Sequence, residues 1–285
     1  MKSMTVDELR GFCDFDYEER TLASQDGLAD VVLSIFRPQG TTSPTPAMYF
    51  IHGGGLVSGD RFSDLEHLIN LVDKYGITII SVEYRLAPEY RYPVPVDDCF
   101  AGLLWVSDHA EFLGIDASRI FLYGVSAGAG LAASVALMAR DLSGPAIAAQ
   151  VLSIPMLDHR NGTPSSRQFD GFGGWDRASI QSGWTAMLGN GHGELEISPY
   201  ASPARATDLS SLPPTYLDVG SAEVFRDEAI DYAREIWAVG GQAELHVWSG
   251  GFHGFEYVVP GAPLSTTSAQ TTLKWMERTL GLVAR

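Results

Sequence analysis

The sequence predicts an α/β fold, a mostly parallel sheet with helices on both faces. Three observations carry this expectation. Apolar strand-like runs alternate with longer helical segments through most of the chain, the order that builds parallel crossover units. Runs such as Ala47-Met48-Tyr49-Phe50-Ile51 are apolar throughout, as strands covered on both faces must be. A third run, Arg119-Ile120-Phe121-Leu122-Tyr123, leads through Gly124-Val125-Ser126-Ala127-Gly128 into an Ala- and Leu-rich stretch. That is the pattern of a sharp strand-to-helix turn.

Taken in order, residues 18–24 and 30–37 are expected as two antiparallel edge strands, followed by a loop at Thr41-Thr42-Ser43-Pro44-Thr45-Pro46. Strands are then expected at 47–51, 77–83, 120–123, 148–153, 215–219 and 244–248. Helices are expected at 63–75, 96–109, 226–239 and 265–280, with another from 129 to 140 behind Ser126. The interval 158–203 interrupts the alternation and carries Phe169, Phe172, Trp175, Trp184 and Met187 among polar residues and glycines. No internal repeat is visible.

Composition sets the outer limits. At 285 residues, 45% hydrophobic and 19% charged, the chain is expected to form one domain with a full core. Its formal charge of −16 disfavours nucleic acid and anionic membranes. No apolar run reaches the roughly 18 residues of a membrane span. The first residues lack a hydrophobic leader pattern, so a cytoplasmic location is expected. The two cysteines, Cys13 and Cys99, lie far apart, which argues against a disulfide scaffold, and no Cys/His cluster has zinc spacing. Neither metal nor cofactor is implied.

Two motifs carry chemistry. In Gly124-Val125-Ser126-Ala127-Gly128 the serine has glycine at both i−2 and i+2, as needed when a Cβ there would collide with a tight, strained turn. Upstream, the apolar strand ends in His52-Gly53-Gly54-Gly55, where bare backbone N–H groups can approach a substrate oxygen. Ester hydrolysis places negative charge on that oxygen, and each preorganised donor is worth about 2.7–4 kcal/mol. The expected oxyanion donors are the amides of Gly54, Gly55 and Ala127. A phosphate-binding loop is excluded, because neither GxxxxGK[ST] nor a suitably placed GxGxxG is present. His52 is expected to brace the loop.

These segments resemble the hormone-sensitive-lipase-like family of α/β-hydrolases, a group of carboxylesterases. The resemblance rests on His52-Gly53-Gly54-Gly55 with Gly59-Asp60, on Tyr84-Arg85-Leu86-Ala87-Pro88-Glu89, and on Gly124-Val125-Ser126-Ala127-Gly128. It continues in Ala222-Glu223-Val224-Phe225-Arg226-Asp227-Glu228 and Gly251-Phe252-His253-Gly254, all in the family's order. It implies an α/β-hydrolase fold with a small cap, here residues 158–203 and about 1–25. Phe172, Trp175, Trp184 and Met187 would then line the substrate pocket, unless 175–188 is simply a helix packed on the body. About fifty residues precede the glycine run, fewer than the family usually has, which implies a pocket left open or completed by a second copy in a homodimer.

A serine hydroxyl needs a neighbouring base, and in α/β-hydrolases the triad follows the chain order Ser, acid, His. Of the late histidines, His246 lies in an alternating strand, whereas His253 sits in a glycine-rich loop at a strand's C-terminal end, where active sites of such sheets lie. His253 is therefore expected as the base. The acid that orients it is expected in the loop after strand 215–219, where Glu223 stands in place of the family's usual aspartate; Asp227 and then Asp218 are its competitors. Other departures are Val125 for a frequent aspartate and Ala129-Gly130 for Gly-Asn. The implied activity is a serine carboxylesterase for short- to medium-chain esters acting through an acyl-enzyme. The alternatives are lactone, amide or acetyl hydrolysis by the same triad, or a small-ligand-binding protein without catalysis.

Overall fold

The computed structural model describes residues 3–23, 30–192 and 196–285. Its centre is a sheet of eight strands in the spatial order β1-β2-β4-β3-β5-β6-β7-β8. The strands are β1 (Asp16–Leu22), β2 (Val31–Arg37), β3 (Thr45–Ile51), β4 (Thr78–Glu83), β5 (Ile115–Val125), β6 (Gln150–Ser153), β7 (Thr215–Ala222) and β8 (Ala243–Phe252). β1 pairs antiparallel with β2, and β2 with β4; from β4 to β8 every pairing is parallel. The two antiparallel strands lie at one edge, as expected. Ser24, the last residue of the first expected strand, lies outside the described residues.

β3 is buried along its whole length and β5 through its last six residues, so the apolar character of both runs reflects cover on two faces. One core layer joins Leu33, Tyr49, Ile80 and Leu122 to α3 (Val94–Asp108), α5 (Ala127–Asp141) and α8 (Arg226–Ala238). The opposite layer joins Phe36, Met48, Phe121 and Val151 to α2 (Asn70–Tyr75) and α10 (Pro263–Leu280). Short helices α1 (Val6–Leu9), α4 (Ala110–Leu113), α6 (Pro164–Gln168), α7 (Arg177–Leu188) and α9 (Phe255–Val258) complete the described elements.

Several expected bounds shift, β8 running on to Phe252 past its expected end at 248 and β7 to Ala222 past 219, and two further elements differ more. The helix expected over 63–75 is broken: Asp64 has φ +66, a 3-10 turn follows at Leu65–His67, and only Asn70–Tyr75 is α-helical. Local apolar spacing did not register that the chain must bend there to seat Asp64 below the glycine loop. β5 begins at Ile115, earlier than expected, because Thr45 pairs with Ile115 across a bulge before the main ladder with β3.

The strand order fixes where chemistry can occur. After β3 the chain crosses to β4 on one side, and it returns to β5 on the other. The C-terminal ends of β3 and β5 thus adjoin at the point where the winding reverses, and loops there diverge to leave a crevice. The register pairs Ile51 with Gly124. This places the glycine run after β3 beside the serine turn after β5.

Candidate active site

Ser126 occupies the turn between β5 and α5 with φ +55 and ψ −115, a conformation costly for a non-glycine residue and sustained only when its surroundings fix it. They do so here through the backbone: Ser126 N–H donates to Ser153 O at 2.8 Å, and Met156 N–H donates to Ser126 O at 3.1 Å. The flanking glycines are required by space. A Cβ on Gly124 would lie 2.3 Å from Gly128 O, and one on Gly128 would lie 2.1 Å from Ile51 O. Ser126 stands at the N-terminus of α5, where unpaired amides and the helix dipole favour developing negative charge.

His253 follows the end of β8. Its Nε2 is 3.1 Å from Ser126 Oγ, and its Nδ1 is 2.5 Å from Glu223 Oε2. The other carboxylate oxygen, Glu223 Oε1, accepts from Gly220 N–H at 2.7 Å. The Glu223 side chain is wholly buried and that of His253 is 7% exposed, so this relay is shielded from water. The carboxylate fixes the tautomer: Nδ1 carries hydrogen toward Glu223, and Nε2 is left to accept from Ser126 Oγ–H. Phe225 packs edge-on against the imidazole at 5.1 Å between ring centroids.

The competing acids are occupied elsewhere. Asp227 accepts from Ser165 N–H at 2.7 Å and pairs with Arg226 at 2.7 Å, and its contacts with Arg226 and Ser165 hold its carboxyl below the usual range despite partial burial. Asp218 accepts from Trp248 Nε1–H at 3.3 Å and Ser268 Oγ–H at 3.0 Å. Glu228 is buried, accepts from Leu157 N–H at 2.6 Å, and is pushed well above the carboxylate range by burial.

The N–H groups of Gly54 and Gly55 donate to no backbone or side-chain acceptor among the described residues. Ala127, first residue of α5, has no intrahelical acceptor for its own. Gly54 and Gly55 have φ +115 and +63, which only glycine adopts at low cost. His52 braces the loop: fully buried, it lies 2.7 Å through Nδ1 from Gly53 O and stacks on Tyr84 at 4.2 Å. Burial lowers its pKa, so it serves as a neutral donor. Tyr84 Oη–H in turn donates to His52 O at 2.9 Å. Arg85 forms a bidentate pair with buried Asp98 at 2.7 and 2.8 Å, which anchors the segment after β4.

Of the expected pocket residues, Trp175 lies against the glycine loop, where a Cβ on Gly55 would fall 2.4 Å from its ring, and its centroid is 6.5 Å from that of His253. Trp184 and Met187, on α7, are 2% and 1% exposed and line a cavity of about 10 Å³ with Leu56, Ala127, Leu131 and Met156. Phe172 is 73% exposed and takes no part in that buried wall. Asp64 was not anticipated. Its Oδ2, buried without a hydrogen-bond partner, faces Gly53 beside the Cβ of Ser126, and burial raises its pKa to about 6. Nothing in the sequence sets it apart, since Glu66 and Asp73 lie in the same amphipathic stretch. Among the described residues no three His, Cys, Asp or Glu side chains gather as metal ligands, and no helix is long and apolar enough to cross a membrane.

Known proteins resemble this chain over most of its length. Residues 48–257 match a family model described as an alpha/beta hydrolase fold. The chain is 34% identical to "Carboxylesterase NlhH" of Mycobacterium tuberculosis over 90% of its own length and 82% of the relative's. It is 32% identical to an "Arylesterase" of Saccharolobus solfataricus, over 86% and 77%. Among solved structures, "Bacterial Heroin Esterase" superposes with a TM-score of 0.91 at 40% identity, covering 94% of this chain and 86% of that one. The chain belongs to the hormone-sensitive-lipase-like carboxylesterases of the α/β-hydrolase family.

Proposed function

We propose that this carboxylesterase hydrolyses short-chain esters through an acyl-enzyme formed on Ser126. The observation that carries the reading is the continuous relay from Ser126 Oγ to His253 Nε2 and from His253 Nδ1 to Glu223, at 3.1 and 2.5 Å. Ser126 Oγ attacks the ester carbonyl carbon as its proton passes to His253 Nε2. The imidazolium so formed is stabilised by Glu223. The former carbonyl oxygen takes the negative charge toward the amides of Gly54, Gly55 and Ala127. Collapse breaks the bond to the alcohol oxygen, which receives the proton from His253. Water, deprotonated by the same histidine, then releases the acid and restores Ser126.

Residues 158–203 serve as the cap in this reading, with Trp175 over the glycine loop. The space beside Ala127, about 10 Å³, has room for roughly one water-sized sphere, which argues against a long acyl chain on that side. The curated relatives are named for esters in general, and one for aryl esters, which fits variation on the alcohol side. A cytoplasmic location and a homodimer belong to the same reading, tested by cell fractionation and light scattering.

The decisive experiment is turnover of p-nitrophenyl esters from acetate to palmitate, with Ser126→Ala alongside and fluorophosphonate labelling of both proteins. Short-chain turnover and labelling, both lost in the variant, are expected. A Ser126→Ala protein that still turns over would overturn the assignment. Absence of turnover and labelling in the unaltered protein would favour a ligand-binding role.

A further inference from the structure

We propose that Glu256 and Asp218 hold a single proton between them, and that this protonated pair positions the His253 loop for catalysis. The inference rests on the triad reading above. Asp218, on β7, is 1% exposed, and Ser268, on α10, is completely buried. Glu256 is in the first turn of α9, three residues after His253. Ser268 Oγ lies 3.0 Å from Asp218 Oδ2 and also within hydrogen-bond distance of Glu256 Oε1. The two carboxyl groups contact each other as well. Asp218 Oδ1 is buried and receives no hydrogen bond from an N–H or hydroxyl of the described residues.

Counting hydrogens decides the protonation state. With both carboxyls ionised, the Ser268 hydroxyl would offer one hydrogen to this cluster of adjoining oxygens, leaving at least one contact between bare acceptors and two like charges side by side. A carboxyl proton removes both faults: Glu256 donates, Ser268 donates onward, and Asp218 accepts. Trp248 Nε1–H adds a second donor to Asp218, which marks Asp218 as the ionised member. Burial and the Asp218 charge push Glu256 up to about 10, and the more distant Glu223 charge acts in the same direction. The other titratable groups facing it are Tyr123 on β5, Tyr216 on β7 and Tyr257 on α9, all raised by burial and so neutral at ordinary pH. His67 and Lys74 stand across a cavity of about 280 Å³ that Glu256 helps to line.

The pair lies where it can control His253. Gly254, at φ +74, turns the chain directly from the histidine into α9. Ser265 Oγ–H donates to Phe255 O at 3.1 Å, so α9 is tied to α10 both there and through Glu256. One end of the catalytic loop is thus held by β8 and the other by the protonated carboxyl. Loss of that proton sets a second charge against Asp218 and another near Glu223. Repulsion then drives α9 from Ser268 and draws His253 away from Ser126. Glu256 is a positioning residue acting through the loop.

The test is the pH dependence of kcat and KM for ethyl acetate in a pH-stat, from about pH 6 to about pH 10.5. In the unaltered protein kcat is expected to fall reversibly above about pH 9 while KM holds steady. Glu256→Gln, whose amide can still donate to Ser268 but cannot ionise, should keep at least about a third of kcat at neutral pH and shift the fall upward by about one pH unit or more. Asp218→Asn removes the charge that retains the proton and should shift the fall downward by about one unit. Superimposable profiles for all three proteins would overturn the proposal, as would a Glu256→Gln variant that lowers kcat equally at every pH. If Glu256→Gln fails to fold, the direction of the Asp218→Asn shift decides. Phosphonate labelling of Ser126 in each variant separates a failure of this pair from a failure of the triad assignment.

Discussion

Replacing Glu223 by glutamine tests the acid assignment by changing a single atom type. Gly220 N–H donates to Glu223 Oε1 at 2.7 Å, leaving Oε2 for His253 Nδ1 at 2.5 Å. In Glu223→Gln the amide oxygen keeps the bond from Gly220, because an NH2 group there would oppose another donor. The NH2 then faces His253, so Nδ1 must accept and Nε2 must carry the hydrogen. A histidine in that tautomer cannot take the proton of Ser126. The expected loss in kcat is about 10⁴-fold, as for a triad acid changed to its amide in another serine hydrolase, or about 5.4 kcal/mol of transition-state stabilisation. KM should change little, since Glu223 touches no substrate in this reading. Asp227→Asn is the control: its partners are Ser165 and Arg226, so kcat should stay within about threefold while stability falls by about 1 kcal/mol from the lost hydrogen bond. Stopped-flow release of p-nitrophenol, with circular dichroism to verify folding, measures both. An Asp227→Asn loss equal to or greater than that of Glu223→Gln would refute the assignment.

Three further outcomes are expected. Gly54→Ala would place a Cβ 1.9 Å from Ser58 O at φ +115, so the loop must shift and its amides leave the oxyanion position; kcat should fall on the order of 10²–10³-fold, read against an unchanged far-UV spectrum. The folded-state pKa of Asp64 is raised from 3.8 to about 6, so its contribution to stability is complete at pH below the unfolded value and is lost as pH rises through about 6. The loss approaches about 3 kcal/mol at pH 8. Asp64→Asn, which tolerates the left-handed backbone, should therefore be more stabilising in urea titrations at pH 8 than at pH 4.5; equal effects at the two pH values would contradict this. Met187→Ala should enlarge the buried space beside Ala127 and move the preferred acyl group to longer chains in the p-nitrophenyl series, at a stability cost of about 2–5 kcal/mol.

What could be read locally was read from turns and strands. The fully apolar strand ending in three glycines, and the serine between glycines at a strand–helix junction, are local necessities: residues 124 and 128 have no room for a Cβ, and that constraint is visible in the residues themselves. His253 stood out because it follows the glycines at the C-terminal end of β8, whereas His246 lies within the alternating part of the same strand. The pocket was less so. Trp184 and Met187 are buried beside Ala127, whereas Phe172, in the same aromatic-rich interval, is 73% exposed. Aromatic composition marks an interval without saying which rings face inward.

By itself, the sequence determined the order of strands and helices, the strained serine turn, the glycine loop and the histidine, because each depends on residues adjacent along the chain. The tertiary structure alone separated the surroundings of Asp218, Glu223 and Asp227. All three fall within the ten positions 218–227, and only packing sends one to His253, one to Ser268 and one to Ser165. It alone also broke the expected helix at Asp64 and set Glu256 beside Asp218. The reason is physical: a carboxylate's role follows from which donors and charges surround it, and in a wound parallel sheet those neighbours come from distant parts of the chain.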